Sequence, residues 1–94
     1  MLAVLIKRVL ASEMESTYEE FSRKIIQAAV PAKGFISSKS FKDLNDTKIR
    51  YTLIQMDNLA DWNVWYQSDE RQKALAYIQP LLREPEAISI LTTA

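Results

Sequence analysis

The sequence predicts an α+β domain of the ferredoxin-like kind, a four-stranded antiparallel sheet with helices on one face, working as a homodimer. Three observations predict it. Segments of strand type and helix type follow one another as β-α-β-β-α-(α)-β, two halves of a split βαβ arrangement. The strands carry apolar residues on both alternating faces, so the face left open by the helices needs a cover, and a second copy of the chain is the commonest one. The chain has 94 residues, 48% of them apolar and none cysteine. Residues 1–94 therefore make one small domain whose modest core gains from a partner, because no disulfide can supplement it.

The first element, Leu2 to Leu10, is rich in Val, Leu and Ile and reads as a strand whose first half is apolar on both faces. Ser12-Glu13-Met14-Glu15 and Ser16-Thr17-Tyr18-Glu19 both fit a capping box. Glu13, Glu15, Glu19 and Glu20 suit a helix N-terminus. Met14, Tyr18, Phe21, Ile25 and Ala29 then form the apolar stripe of an amphipathic helix, which Pro31 and Gly34 end. Phe35 to Leu44 reads as the second strand, with Phe35, Ser37, Lys39 and Phe41 on one face. Asn45-Asp46 marks a turn. Ile49 to Met56 is the third strand, with Ile49, Tyr51 and Leu53 on one face and Thr52, Ile54 and Met56 on the other. Asn58 caps a short helix with Asp61 at its third position and Leu59, Trp62 and Trp65 or Tyr66 on one side. Ser68 caps another, with Asp69 and Glu70 in its first turn, a stripe of Leu75, Ile78 and Leu82, and a break near Pro80. After Pro85, Ala87 to Leu91 reads as the last strand.

Composition excludes several functions. The chain has no histidine and no cysteine. That rules out Ser-His-Asp and Cys-His nucleophilic sites, a Cys–His metal site and an axial histidine for haem. It also removes the side chain best suited to acid–base work near neutral pH. No carboxylates stand at a metal-ligand spacing. Twelve basic and twelve acidic residues cancel, which is not the footprint of a nucleic-acid binder. The apolar opening Met1 to Ile6 is too short to span a bilayer and lacks the flanks of a signal peptide. The expectation is a cytoplasmic protein with neither nucleic acid nor membrane as partner.

The candidate functional residues are few. Trp62, Trp65 and Tyr66 crowd five positions. Core packing is the simpler reading, but three such rings cannot all face one side of a helix, so one is available to a ligand or partner. Asp61 stands four residues before Trp65, a neighbour on the same helix face; its simpler role is to serve the helix N-terminus. Lys39, between Phe35 and Phe41, either orients an anionic or phenolic ligand or, more simply, snorkels to water. Lys7 on the first strand reads the same way. Tyr51 offers a hydroxyl to a pocket or is an ordinary strand tyrosine. Arg71, Lys73 and Arg83 read as a solvated helix face.

Two runs carry a resemblance. Tyr51-Thr52-Leu53-Ile54-Gln55-Met56 and Leu59-Ala60-Asp61-Trp62 lead into Trp65-Tyr66-Gln67-Ser68-Asp69-Glu70, with Pro80 to Pro85 closing the helical part. Together with Glu19-Glu20-Phe21 and Gly34 near the start, they resemble the antibiotic-biosynthesis monooxygenase family along nearly the whole chain. The resemblance implies a dimeric α+β barrel, two ferredoxin-like protomers packed sheet to sheet. It implies oxidation of a small aromatic or quinol-type substrate with no metal or prosthetic group, the substrate anion itself reacting with dioxygen. Trp65 then matches the tryptophan that lines the pocket, and Asp61 falls where an asparagine can contact substrate. The haem-degrading branch uses a strand asparagine, here Leu5 or Lys7, and a histidine near Leu75 or Ala76. Without any histidine, haem degradation is disfavoured. The expected pocket residues are Trp65, Asp61, Tyr51, Lys39 and Lys7, with no cofactor. The alternative is a small-ligand-binding or structural homodimer that performs no chemistry.

Overall fold

The computed structural model describes residues 1–94. Its elements are β1 (Leu2–Val9), α1 (Glu15–Ala29), β2 (Phe35–Lys42), β3 (Ile49–Met56), α2 (Leu59–Tyr66), α3 (Asp69–Ile78), a 3₁₀ turn (Gln79–Leu81) and β4 (Ala87–Thr92). The sheet runs β2-β3-β1-β4, with every neighbouring pair antiparallel. β3 therefore lies between β1 and β2, and α1 crosses over it, which is the ferredoxin-like arrangement expected from the order of elements.

One face of the sheet holds the core. Val4, Ile6, Ile54 and Met56 from β1 and β3 meet Tyr18, Ile25 and Ala29 of α1, Trp62 and Trp65 of α2, and Leu75 and Ile78 of α3. In β3 the even-numbered residues are buried and the odd-numbered ones half-buried, the period of a strand packed against helices on one side. The opposite, open face is built from three cross-strand rows: Leu91, Ala3, Gln55 and Ser37; Ser89, Leu5, Leu53 and Lys39; Ala87, Lys7, Tyr51 and Phe41. Leu5, Tyr51 and Leu53 are half-buried there, while Phe41 and Leu91 are exposed. No carboxylate stands in these rows.

The helix ends show which polar residues act as caps. The Asn58 carboxamide oxygen accepts from the Asp61 N–H at 2.8 Å. Ser68 Oγ accepts from the Arg71 N–H at 3.2 Å and donates to the Trp65 carbonyl at 2.7 Å. Both are the expected caps. Neither serine expected to cap α1 does so. Met14 occupies the N-cap with no side-chain hydrogen bond, and Ser16 already lies inside the first turn. Glu13, at φ 65°, bends the chain into the helix before Ser12 can reach it. Pro80 sits in the 3₁₀ turn that follows α3, because proline cannot donate to the helical ladder.

Three further expectations are corrected. Phe35 does not share a face with Lys39 and Phe41. A register shift between Phe35 and Ser37 sets Phe35 opposite Met56 and packs it on the core, whereas Lys39 and Phe41 stay on the open face opposite Leu53 and Tyr51. An extra residue in one strand flips every side chain beyond it. Arg71 is not on a solvated helix face: it is 2% exposed. β2 also stops at Lys42 rather than Leu44, since the Asp43 carboxylate accepts from the N–H groups of Asn45 and Asp46, both at 2.9 Å, and closes the turn locally.

Candidate functional site

The helix α2 positions the two principal candidates. Its cap, Asn58, sets the first turn, so Asp61 and Trp65 fall one turn apart on the side facing the C-terminal end of α1. Both line an open pocket of about 280 Å³ together with Ala28, Pro31, Lys33 and Glu70. Gly34 makes room for the carboxylate. At φ 83° it lies in the left-handed region, and a Cβ placed there would stand 2.7 Å from the Cβ of Asp61. Glycine meets both demands, a positive φ and a close approach.

Trp65 has two sides. Its outer edge meets that pocket, yet the residue is only 5% exposed and belongs to the core. Its inner side borders a void of about 10 Å³ with Ile6, Arg8, Thr52, Ile54 and Arg71. That is room for one water at most, so no ligand-sized chamber lies between Trp65 and the sheet. Of the three crowded aromatic residues, Trp62 is the most buried at 1% and Tyr66 is the outlier at 40% exposure. Tyr66 stacks obliquely on Trp62, ring centres 5.8 Å apart, and lies under the Arg71 guanidinium at 4.7 Å.

The other three candidates lie elsewhere. Lys7, Lys39 and Tyr51 are on the open face. Lys7 is paired in register with Tyr51, and the Lys39 ammonium stands 5.5 Å from the centre of the Phe41 ring. The sheet separates this group from Asp61 and Trp65. The five candidates thus form two groups, a carboxylate–tryptophan pair on the helix side and a lysine–tyrosine group on the open side.

The space beneath Trp65 is filled by a polar network that the residue pattern did not announce. Arg8 Nε donates to Glu86 Oε2 at 3.0 Å, and Arg8 Nη1 to the Tyr18 hydroxyl at 3.2 Å. Arg71 Nη2 donates to the other oxygen of Glu86. One carboxylate thus joins β1, α3 and the segment before β4. Every buried side-chain nitrogen and oxygen has a partner, so this network is a satisfied structural core rather than an unfilled receptor. Arg8 shares the inward face of β1 with Val4 and Ile6; that placement was the one available signal.

No group of three His, Cys, Asp or Glu side chains is placed to hold a metal ion. No helix is long and apolar enough to cross a membrane.

No family model matches the chain, and no curated protein matches it. Solved structures do. A conserved protein from Methanosarcina mazei Go1 superimposes with a TM-score of 0.91 at 15% identity, over 99% of this chain and 92% of that one. An antibiotic biosynthesis monooxygenase superimposes with a TM-score of 0.90 at 12% identity, over 100% and 99%. A proposed antibiotic biosynthesis monooxygenase from Nitrosomonas europaea gives 0.89 at 10% identity, over 99% and 98%. This chain therefore shares the fold of these structures along nearly their whole length.

Proposed function

We propose that this protein is a cofactor-independent monooxygenase-like homodimer that takes a small aromatic or quinol-type molecule in the pocket beside Asp61 and Trp65. The observation that carries this reading is the shared pocket. A carboxylate and an indole edge, one helical turn apart, meet in a concavity close to the size of a small ring system. In this reading Trp65 offers a flat apolar wall to the ring. Asp61 accepts a proton from the substrate, taking the part a histidine base would otherwise play. Lys33, in the same pocket, offers positive charge to the resulting anion. The electrons come from the substrate. A ring carbon ortho to the phenolate, a CH₂ in the keto tautomer, loses both hydrogens and reacts with dioxygen; one oxygen atom stays as C=O and the other leaves as water. The fold shared with the monooxygenase neighbours supports the reaction class. Their names do not specify a substrate.

The test is dioxygen uptake on a panel of hydroquinones and hydroxylated polycyclic rings. Wild-type protein is expected to exceed buffer, and Asp61→Asn to lower kcat by about 10²–10⁴-fold, the usual worth of a positioned base. Asparagine keeps the side chain's size and shape but removes its negative charge and its basicity. Equal rates for wild type, variant and buffer would sink the proposal. A second reading, ligand binding without turnover, draws support from the openness of the pocket and from the near-absence of space behind Trp65. Water is then not excluded from the bound ligand, as carbanion chemistry requires. Saturable quenching of tryptophan fluorescence with no dioxygen uptake would decide for it.

A further inference from the structure

We propose that the groove between α1 and the β2–β3 edge of the sheet binds the phosphate group of a small hydroxylated phosphate monoester. This groove, about 330 Å³, is lined by Arg23, Lys42 and Arg50 with Ser22, Ser40 and Glu19 among its other residues. Three cations face one carboxylate, an excess of two charges that matches a phosphate monoester near neutrality. Arg50 is the fixed element. It is 8% exposed, its Nε donates to the Thr47 carbonyl at 2.6 Å and its Nη1 to Glu19 at 3.2 Å. Its Nη2 has no protein acceptor, and no unpartnered side-chain nitrogen is sealed from solvent, so solvent reaches that nitrogen, on a residue that lines the groove. A guanidinium held in place by two acceptors and left with free donors is pre-organised for an oxyanion. Arg23 and Lys42 enter no ion pair and are free to close on the same anion.

The groove continues along β2 into a second concavity of about 230 Å³ that shares Ser22, Arg23 and Ser40 and adds Gln27 and Ser38. Hydroxyl and amide groups there suit a hydroxylated tail rather than an apolar one. Ser38, Ser40 and Lys42 face the helix side of the sheet, the side opposite the open face. Glu19 plays the counterpart: it occupies one Arg50 donor while half-exposed and competes with an arriving anion. A nucleic-acid backbone is disfavoured as the source of phosphate, because the chain as a whole carries no excess of positive charge.

The experiment is a ¹⁵N-resolved NMR titration of the full chain with inorganic phosphate and, separately, with glycerol 3-phosphate, ionic strength held constant with sodium chloride. Saturable shifts are expected at Ser22, Arg23, Ser40, Lys42 and Arg50, with glycerol 3-phosphate binding at least fivefold tighter. Arg23→Ala combined with Lys42→Ala removes only exposed side chains and should weaken binding at least tenfold. Glu19→Gln should strengthen it several-fold, an opposite sign that general charge screening on the protein surface would not give selectively at this groove. Shifts scattered over every lysine, or a double variant that binds like wild type, would overturn the site. Equal affinity for the two probes would overturn the hydroxylated tail.

Discussion

Glu86 shows how much one side chain can hold. Its two oxygens accept from Arg8 and Arg71, both 2% exposed. Replacing it with alanine leaves two guanidinium groups inside the protein without their carboxylate, and breaking such a buried arrangement by removing one partner costs about 3–5 kcal/mol. Glu86→Gln keeps an acceptor and should cost visibly less. Urea unfolding of the two variants checks this; a Glu86→Ala variant within 1 kcal/mol (about fivefold in the folding equilibrium) of wild type would show that water reaches both arginines. Glu86 and Arg71 also mark the limit of reading residues in series. A carboxylate just after Pro85 and an arginine in a polar helical turn each look solvated. Only the pairing of β4 alongside β1 sets Glu86 against Arg8, 78 positions away, and against Arg71, 15 positions away. Asp61 and Trp65 were legible because a helix places residues four apart side by side, a local rule that needs no knowledge of the rest of the fold.

At the scale of elements, the three helices begin in different ways. α2 and α3 start on side-chain caps, α1 on Met14 without one. Asn58→Ala and Ser68→Ala are each expected to lower stability by about 1 kcal/mol, whereas Ser12→Ala and Ser16→Ala, despite matching capping-box patterns, should lie within a few tenths. Thermal unfolding of the four variants measures this directly, and equal losses at all four positions would refute the assignment. The contrast also explains which elements could be read in advance. Ile49–Met56 is a strand from end to end because its alternation is uninterrupted. In β2 the alternation breaks at Ile36, where no glycine or proline signals a bulge, so strict alternation places Phe35 on the face it does not occupy. The capping boxes failed for a related reason: the pattern is met twice within eight residues, and the left-handed turn at Glu13 selects neither.

At the scale of the whole molecule, the open sheet face connects stability with assembly. Leu5, Leu53 and Tyr51 give it an apolar middle on the two central strands, flanked by Phe41 and Leu91 on the edge strands, which favours burial against a second copy. Lys7 and Lys39 work against this, because the face has no carboxylate to receive them. Two copies brought face to face would gather four ammonium groups around one apolar layer, each either reaching water at the rim or resting on a ring as Lys39 does on Phe41. The proposed homodimer should therefore respond to charge with a definite sign. Added salt screens the lysines and strengthens hydrophobic burial, so dimerisation should tighten between 50 mM and 500 mM sodium chloride rather than weaken. Lys7→Met should tighten it further at low salt by removing an ammonium from the central strand. Leu53→Glu should yield monomer, since an unpaired carboxylate in the apolar middle loses its hydration. Sedimentation equilibrium at micromolar concentration reads all three. A wild-type monomer under every condition would sink the dimer itself, and a dimer indifferent to Leu53→Glu would place the contact on another surface.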